Sequence, residues 1–133
     1  MAETFGFELV SPEKLLLSVD AEMVVVPGEA GDFGVLPGHA PLISTLRNGV
    51  IEVSSNGAVS ERIFVAGGFA EVANDRLTVL AEEAVPVDKI DRAKVEQQLK
   101  DAREDLEDAK DDHARARCQV IVDKFAAMLE AVA

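Results

Sequence analysis

The sequence predicts a fold that is mainly β plus α, with an N-terminal β-sandwich followed by a C-terminal antiparallel two-helix hairpin. Two observations indicate this division. Through residue 85, short apolar stretches alternate with turn residues about every 8–12 positions, a spacing typical of all-β sandwiches and barrels. From Asp88 to Ala133 the chain contains neither glycine nor proline, and apolar residues recur at helical spacing. We therefore predict two domains, at residues 1–86 and 87–133.

The first strands are predicted from apolar residues at alternating positions. Phe5, Phe7 and Leu9 occupy every second position, which is typical of a half-buried strand. Further short extended segments are expected at residues 14–19, 22–26, 33–36 and 42–46. The segment Pro27–Leu46 contains four glycines and three prolines among apolar residues. Because glycine permits positive φ and proline fixes φ, we predict a rigid, shaped connection here.

Three dipeptides punctuate the second part of the predicted sandwich. Asn56-Gly57 strongly favours the two-residue turn of a hairpin, and Asn74-Asp75 is expected to turn the chain again. Gly67-Gly68 is expected to interrupt the strand in which it lies. The strands that these dipeptides separate are predicted at residues 50–53, 61–65, 69–72 and 77–80.

The first helix is predicted to have Asp88 as its N-cap, a position that aspartate favours. Its apolar residues are spaced by 4, 3, 4 and 3 positions and comprise Val95, Leu99, Ala102, Leu106 and Ala109. A second, similarly spaced stripe comprises Ala114, Cys118, Ile121, Phe125, Met128 and Val132. Because the two stripes are out of phase, we predict a break at residues 110–113, with Asp111 or Asp112 capping a second helix. The break contains no glycine or proline, so one long, straightened helix stays open as an alternative.

The composition argues against several classes of function. The formal net charge of −12 disfavours nucleic-acid binding, which requires clustered Lys and Arg, and direct adsorption to anionic lipid. Residues 1–85 contain 13 acidic and 4 basic residues, whereas residues 86–133 contain 12 and 9, so different surroundings are expected for the two parts. The single cysteine, Cys118, cannot form an intrachain disulfide. Neither a secretory signal nor a membrane-spanning segment is expected.

Residues typical of an active site are scarce in this sequence. The two histidines, His39 and His113, occur in different predicted domains, and no HExxH, CxxC, G-x-S-x-G or GxxxxGK[ST] motif is present. The adjacent carboxylates Glu82-Glu83 are interpreted as a solvated strand edge, and the acidic run at residues 104–112 as a solvated helix face. We therefore predict no catalytic residue and no metal site. Physical reasoning alone indicates an interaction module.

Four segments of the predicted sandwich match the pattern of a known family. They are FELVSPE at residues 7–13, GDFGVLPGHAPLI at 31–43, VAGGFAEV at 65–72 and LTVLAEEA at 77–84. In this order, and followed by two predicted helices, they resemble the epsilon subunit of F-type, proton-translocating ATP synthases. The lack of a transit peptide favours the bacterial type over the mitochondrial counterpart.

The resemblance implies a non-catalytic subunit of the central rotor stalk, with no cofactor. In that family the sandwich binds the gamma subunit and the ring of membrane c subunits, so that proton-driven rotation of the ring is coupled to ATP synthesis. The complex lies at the cytoplasmic face of the inner membrane, and the subunit associates with the membrane only through the complex. The matching loop implies contacts with the ring or with gamma by Glu29, Gly31, Asp32, Phe33 and His39.

For the helices, the resemblance implies a second role as an inhibitor of ATP hydrolysis that reaches the alpha and beta subunits. The basic residues of the second helix that would serve this role are Arg115, Arg117 and Lys124. Asp123 and Glu130 offset most of their charge, so an electrostatic inhibitor would be weak. A free-standing adaptor with an ATP-synthase-like sandwich is a third hypothesis, which predicts no association with membranes that carry the synthase.

Some members of that family bind ATP through a motif of the form [IL]-D-x-x-R-A at the start of the first helix. In this sequence Asp91 and Arg92 are two residues too close for the motif, and Asp88 and Arg92 are one residue too far apart. Each residue turns a helix by about 100°, so both departures rotate the arginine away from the aspartate. Regulatory ATP binding is therefore not expected.

Overall fold

Eight β-strands and two α-helices are present in residues 3–133, which the computed structural model describes. Residues 1 and 2 of the predicted sandwich domain lie outside the described residues. The chain divides between Pro86 and Val87 into two compact units. The first unit comprises β1 (Phe5–Val10), β2 (Leu15–Ala21), β3 (Met23–Gly28), β4 (Gly31–Val35), β5 (Leu42–Thr45), β6 (Gly49–Ser55), β7 (Ala58–Ala73) and β8 (Arg76–Pro86). These strands confirm the predicted β-sandwich.

The sixteen-residue strand β7 lies between two groups of strands. Strands β2, β1 and β8 lie on one side of it, and β6, β3, β4 and β5 lie on the other. The strand order is β2-β1-β8-β7-β6-β3-β4, and β5 also pairs with β7. The first half of β7 pairs with β6, residues 69–72 pair with β5, and β8 pairs along residues 63–73. The β1–β8 pair is parallel, whereas the other pairs are antiparallel. A single strand therefore pairs with both groups, and their apolar sides share one core.

Alternation along the strands fills that core as predicted. In β1 the residues Phe5, Phe7 and Leu9 are buried and the residues between them are only partly so. Ile51 of β6 and Leu77 of β8 are fully buried in the same cluster. No tryptophan or tyrosine contributes, because the sequence contains none. The core thus combines phenylalanine with aliphatic side chains.

Strand β7 continues through Gly67 and Gly68, so the prediction that these glycines interrupt it is wrong. Ala66 pairs with Glu83 of β8. Gly68 pairs with Ala81, and the register is therefore unchanged across the two glycines. Their φ angles are +72° and +111°, which residues with a side chain rarely adopt. The two glycines permit an irregular backbone conformation within the strand. The pairing with β8 on both sides of them keeps β7 in register.

The two predicted turns are confirmed. Asn56 and Gly57 have φ of +56° and +79°, and the flanking residues pair across the β6–β7 hairpin. Asn74 and Asp75 have φ of +53° and +57° between β7 and β8. Positive φ at both central positions is the geometry that matches the twist of a two-residue hairpin.

The segment Pro27–Leu46 is more regular than the predicted shaped connection. β3 continues to Gly28 and β4 begins at Gly31, so residues 29–30 form the turn of a β-hairpin. A second turn at residues 37–38 leads to β5, which pairs with β7. The glycines and prolines therefore shape the two turns rather than a continuous irregular loop.

The second unit consists of α1 (Arg92–Asp108) and α2 (Asp112–Ala131). Asp111 caps α2, because its Oδ1 accepts a hydrogen bond of 2.7 Å from the backbone N–H of Ala114. This confirms the predicted break. The predicted N-cap of α1 is wrong, since Asp88 lies in a 3₁₀ turn and Asp91 caps the helix instead. Strand β8 runs to Pro86 and the 3₁₀ turn follows directly, so α1 begins one turn later than predicted.

The helices pack through Leu99 and Ala102 of α1 and Val122 of α2. The predicted stripe of α2 is partly wrong, because Ile121 is 44% exposed whereas Val122 is buried. The neighbouring residues are both apolar, and one residue corresponds to about 100° around the helix. Val122 is therefore the residue of this pair that lies on the side of α2 facing α1. Within residues 3–133, neither helix combines the length and apolarity needed to cross a bilayer.

Candidate functional site

The turn of the β3–β4 hairpin brings together four of the predicted contact residues. Glu29 lies in the turn, Gly31 and Asp32 begin β4, and Phe33 follows. We refer to Pro27–Phe33 as the hairpin tip. The residues at the turn itself are exposed, whereas Phe33 is partly buried and contacts the core.

Close packing explains the glycine at position 28. A Cβ atom there would lie 2.8 Å from the carbonyl oxygen of Gly31 and 2.9 Å from a ring carbon of Phe33. Both distances are shorter than a van der Waals contact, so a side chain would displace the turn. Gly31 is required for a different reason, because its φ is +136°. The predicted role of glycine in shaping this turn therefore has a structural basis.

Three backbone hydrogen bonds attach residues 45–47 to neighbouring strands. The N–H of Glu29 donates to the carbonyl of Thr45 over 2.9 Å. The N–H of Arg47 donates to the carbonyl of Pro27 over 3.0 Å. The N–H of Leu46 donates to the carbonyl of Gly68 in β7, also over 3.0 Å. Residues 45–47 thus connect the hairpin tip to the central strand of the sandwich.

Side chains from the same segment hold the tip further. Arg47 donates from Nη1 to the carbonyl oxygen of Gly28 over 2.6 Å, and from Nη2 to the carboxylate of Asp32. The hydroxyl of Thr45 donates to the carboxylate of Glu29. Sequence reasoning missed both donors. One signal was available, since Arg47 is one of only four basic residues in an acidic sandwich.

His39 is not part of the hairpin tip. It follows β4, whereas Gly31 and Asp32 begin that strand, so the strand separates them. The N–H of His39 donates to the carbonyl of Leu36 over 3.1 Å, and its Nδ1 lies 2.7 Å from the carbonyl of Ala40. These local contacts give His39 a role in the turn, and its contact with a partner stays a prediction.

The neighbouring turn at Asp75 supports this end of the sandwich. The carboxylate of Asp75 accepts a hydrogen bond of 2.9 Å from the N–H of Gly38. Gly38 has φ of +82°, so the turn itself requires glycine. The β7–β8 turn and the segment after β4 are therefore joined.

A row of apolar side chains crosses the outer side of the sandwich. Phe69 pairs with Leu80, Leu80 with Val10, and Val10 with Leu15, so the four lie side by side on adjacent strands. We call these four residues the apolar row. Phe69 is 44% and Leu15 is 54% exposed, and Ile43, diagonal to Phe69 on β5, is 69% exposed. Sequence reasoning missed the row, because it concentrated on glycine, proline and charged residues.

The predicted basic residues of α2 do not form one group. Arg117 and Lys124 are seven positions apart and share a side of the helix, whereas Arg115 lies nearly opposite Lys124. Arg115 donates to the carboxylate of Asp112 over 2.7 Å. Lys124 lies 4.6 Å from the ring centroid of Phe125. Arg117 is exposed.

The residues of the degenerate ATP motif are engaged within α1. Asp91 accepts a hydrogen bond of 3.2 Å from the N–H of Lys94 as the N-cap. Arg92 forms a salt bridge with Glu96, with 3.2 Å between Nε and Oε1. The two side chains therefore take part in helix capping and pairing, and the absence of regulatory ATP binding stays a prediction.

Potential ligand sites in the described residues carry little chemistry. No group of three or more His, Cys, Asp or Glu side chains in residues 3–133 is arranged to hold a metal ion. One open, mainly apolar pocket of about 180 Å³ is lined by Leu9, Leu16, Leu17, Glu61, Ile63, Ala84 and Pro86. Another open pocket, of about 220 Å³, is lined by Glu71, Ala73, Asn74, Arg76 and Thr78. Exposed surfaces, namely the hairpin tip and the apolar row, are therefore the strongest candidates for function.

Comparison with known proteins finds relatives of both units. Residues 4–87 match the family described as ATP synthase, Delta/Epsilon chain, beta-sandwich domain, and residues 91–133 match the family of the C-terminal domain of the ATP synthase epsilon chain. The sequence is 53% identical over 133 residues to the ATP synthase epsilon chain of Paramagnetospirillum magneticum, with 100% of both proteins covered. It is 54% identical over 138 residues to that of Rhodospirillum centenum, with 100% of this protein and 94% of the relative covered.

Solved structures with the same fold occur in mitochondrial ATP synthases. A subunit in the OSCP/F1/c-ring structure from Euglena gracilis has a TM-score of 0.85 and 24% identity, covering 98% of this protein and 82% of that subunit. A subunit in the central stalk/c-ring structure from Tetrahymena thermophila has a TM-score of 0.69 and 14% identity, covering 99% and 98%. These similarities confirm the fold across both units.

Proposed function

Because the chain belongs to the ATP synthase epsilon chain family, we propose that it is a non-catalytic subunit of the central rotor stalk. In this role it binds the gamma subunit and the c-ring and couples rotation of the ring to ATP synthesis. The complex would lie at the cytoplasmic face of the inner membrane, and the chain would reach the membrane only through it. Full-length identity of 53% to a protein named ATP synthase epsilon chain supports the proposal.

The observation that carries the proposal is the apolar row. The row combines the exposed Phe69 and Leu15 with the partly buried Leu80 and Val10 on four adjacent strands, and contiguous apolar surfaces in soluble proteins typically mark interfaces. Phe69 offers a large, stiff and exposed side chain at the β7 end of the row, next to Ile43, which suits an anchor in a partner's pocket. We assign the apolar row, with Ile43, to the contact with gamma.

We assign the contact with the c-ring to the hairpin tip. A contact that transmits torque requires a segment that keeps its shape under load. The tip meets this requirement, since backbone and side-chain hydrogen bonds from Thr45 and Arg47 attach it to the sandwich. The exposed atoms of Glu29 and Gly31 are then available at its outer surface, while the carboxylate of Asp32 is paired with Arg47.

Binding to gamma tests this function directly. Phe69→Lys introduces a charge into the apolar row, and we expect the affinity for purified gamma to fall by about tenfold or more. Val59→Lys is the matched control, because Val59 is 50% exposed on the same strand but lies outside the row. Equal affinities for Phe69→Lys and the wild-type protein would contradict the assignment. Absence of wild-type binding at micromolar concentration would contradict the function itself.

Regulation of ATP hydrolysis by the helices is the second candidate function. Its support is that Arg117 and Lys124 share one side of α2 and present two cations there. We expect Arg117→Glu with Lys124→Glu to raise ATP hydrolysis by the assembled complex. The matched control is Arg103→Glu with Lys110→Glu, which reverses two exposed cations outside α2. Unchanged hydrolysis in the α2 double variant would exclude this inhibitory contact.

A further inference from the structure

We infer that Arg47 is a positioning residue that fixes both the shape and the charge of the hairpin tip. Its guanidinium joins the carbonyl of Gly28 in β3 to the carboxylate of Asp32 in β4. The part of this inference that concerns the c-ring rests on the proposed function. The part that concerns the shape of the tip applies to the free protein.

The Arg47 side chain links strand β3, at Gly28, to strand β4, at Asp32. We call this pair of contacts the brace. Arginine presents its N–H donors in a rigid, planar fork, so two acceptors can be held at a fixed separation. Nη1 donates a hydrogen bond of 2.6 Å to the backbone oxygen of Gly28, and Nη2 donates to the carboxylate of Asp32. The backbone N–H of Arg47 also donates to Pro27 over 3.0 Å, which anchors the start of the side chain beside the same hairpin.

The brace acts on the exposed turn of the tip, whereas Pro27 and Gly28 at its base are buried. β4 is the last strand in the sheet order, and among residues 3–133 its partner strand is β3. The described pairs between β6 and β3 run from Met23 to Val25, so the ladder ends before Pro27, although Gly49 of β6 lies against the Pro27 ring. Proline has no N–H to donate to a further strand. Residues 45–47 supply hydrogen bonds that attach the tip laterally.

The brace also determines what charge the tip offers to a partner. Asp32 is paired with Arg47, and Glu29 accepts a hydrogen bond from Thr45. The Arg47 cation offsets one of the two carboxylate charges, which leaves a single negative charge at the tip. Asp32 then acts mainly through Arg47, as part of the support, rather than as a direct charged contact with the ring. This differs from the direct contact that the sequence predicts for Asp32.

Hydrogen–deuterium exchange of the full-length protein tests the brace without any partner. Arg47→Met should speed exchange in the peptide that covers residues 26–33 by about fivefold, as expected for the loss of an exposed charged pair. Arg47→Lys should have an intermediate effect, because a single ammonium cannot reproduce the two-armed contact. The peptide that covers the Asn56-Gly57 turn is the internal reference and should not change.

A double-mutant cycle separates a pair from two independent residues. If Asp32 acts through Arg47, Asp32→Asn should have little further effect on exchange in the Arg47→Met background. Multiplication of the two single effects would overturn the inference, and so would unchanged exchange in Arg47→Met. Arg62→Met is the matched control, since Arg62 forms another exposed pair, with Glu52 at 3.2 Å, elsewhere on the sandwich.

Coupling in the assembled complex distinguishes this inference from the proposed function. ATP-driven proton pumping by the complex in vesicles, divided by its ATP hydrolysis, should fall in Arg47→Met and stay unchanged in Arg62→Met. Arg47→Lys should recover part of the loss. Faster exchange at the tip with full coupling would overturn the contact between tip and ring while supporting the brace in the free protein. Unchanged exchange would overturn the brace, whatever the coupling.

Discussion

Replacement of Gly68 by alanine should destabilise the sandwich more than any other single-methyl change at a glycine discussed above. Gly68 lies in the centre of β7 with φ of +111°, and an added Cβ would lie 1.9 Å from the carbonyl oxygen of Leu80. It would also lie 2.9 Å from the carbonyl carbon. The methyl group therefore meets backbone, which cannot rotate away as a flexible side chain can.

The cost can be worked out from the contacts at this position. A residue with a side chain in this region of φ costs about 1–3 kcal/mol. A shift of β7 away from Leu80 would also weaken the hydrogen bond from Leu46 to Gly68, which contributes about 0.5–1.5 kcal/mol. We therefore expect a loss of about 3 kcal/mol in the free energy of unfolding. In a unit of this size the melting temperature would fall by about 12–24 °C.

Urea and thermal unfolding measure this loss, with far-ultraviolet circular dichroism as the signal. Hydrogen–deuterium exchange in the β7 and β8 peptides is a second measurement of it. Gly57→Ala is the matched control, because Gly57 has φ of +79° but its added Cβ would meet nothing within 4 Å. That variant should lose only about 1 kcal/mol, the cost of the backbone conformation. If the two variants lost the same free energy, the clash with Leu80 would not be the cause.

Three further predictions concern the helices. Asp91→Ala should destabilise the helical unit by about 1 kcal/mol through loss of the N-cap, whereas Asp88→Ala should change it by less than about 0.5 kcal/mol; exchange in the α1 peptides measures both. Val122→Ala should cost about 1–3 kcal/mol, and Ile121→Ala well under about 1 kcal/mol, in thermal unfolding of the full-length protein. Isothermal titration calorimetry with ATP should give no binding heat at millimolar nucleotide, and a saturable heat would contradict the expectation that the degenerate motif does not bind ATP.

Local sequence signals predicted the turns and most of the elements well. The turn at Asn56-Gly57 could be predicted from two residues alone. Both must adopt positive φ, and asparagine and glycine do so readily. The break before α2 was predictable for a similar reason, since the change of helical phase and the cap at Asp111 both lie near it. Each of these features depends on residues that are close together in the sequence.

Features that depend on distant neighbours were predicted wrongly. Gly67-Gly68 has the local composition of a strand break, but β8 holds β7 in register through it. Ile121 and Val122 are equivalent by composition, and only the position of α1 selects between them. The choice of cap for α1 likewise follows from how far β8 extends, which the sequence around Asp88 does not reveal.

The hairpin tip was located from the sequence, but the origin of its stiffness was not. Glycine and proline indicated a shaped segment, and glycine does permit the turn at Gly31. The brace, however, comes from Arg47, which is 19 residues from Gly28 and 15 from Asp32. A hydrogen bond between such distant residues leaves no periodic signal, so only the three-dimensional arrangement reveals the support.

The pairing of Arg47 with Asp32 belongs to a wider arrangement of charge in the sandwich. Its three arginines, Arg47, Arg62 and Arg76, each form a salt bridge with a carboxylate of the same unit. The pairs leave the charge balance of the unit unchanged, since residues 1–85 contain 13 acidic and 4 basic residues. The sandwich as a whole is therefore acidic, and a partner with basic residues is favoured electrostatically. Complementary charges mainly set the orientation and the association rate of a complex. The apolar row would supply most of the affinity, so charge and apolar contact contribute differently to the same interface.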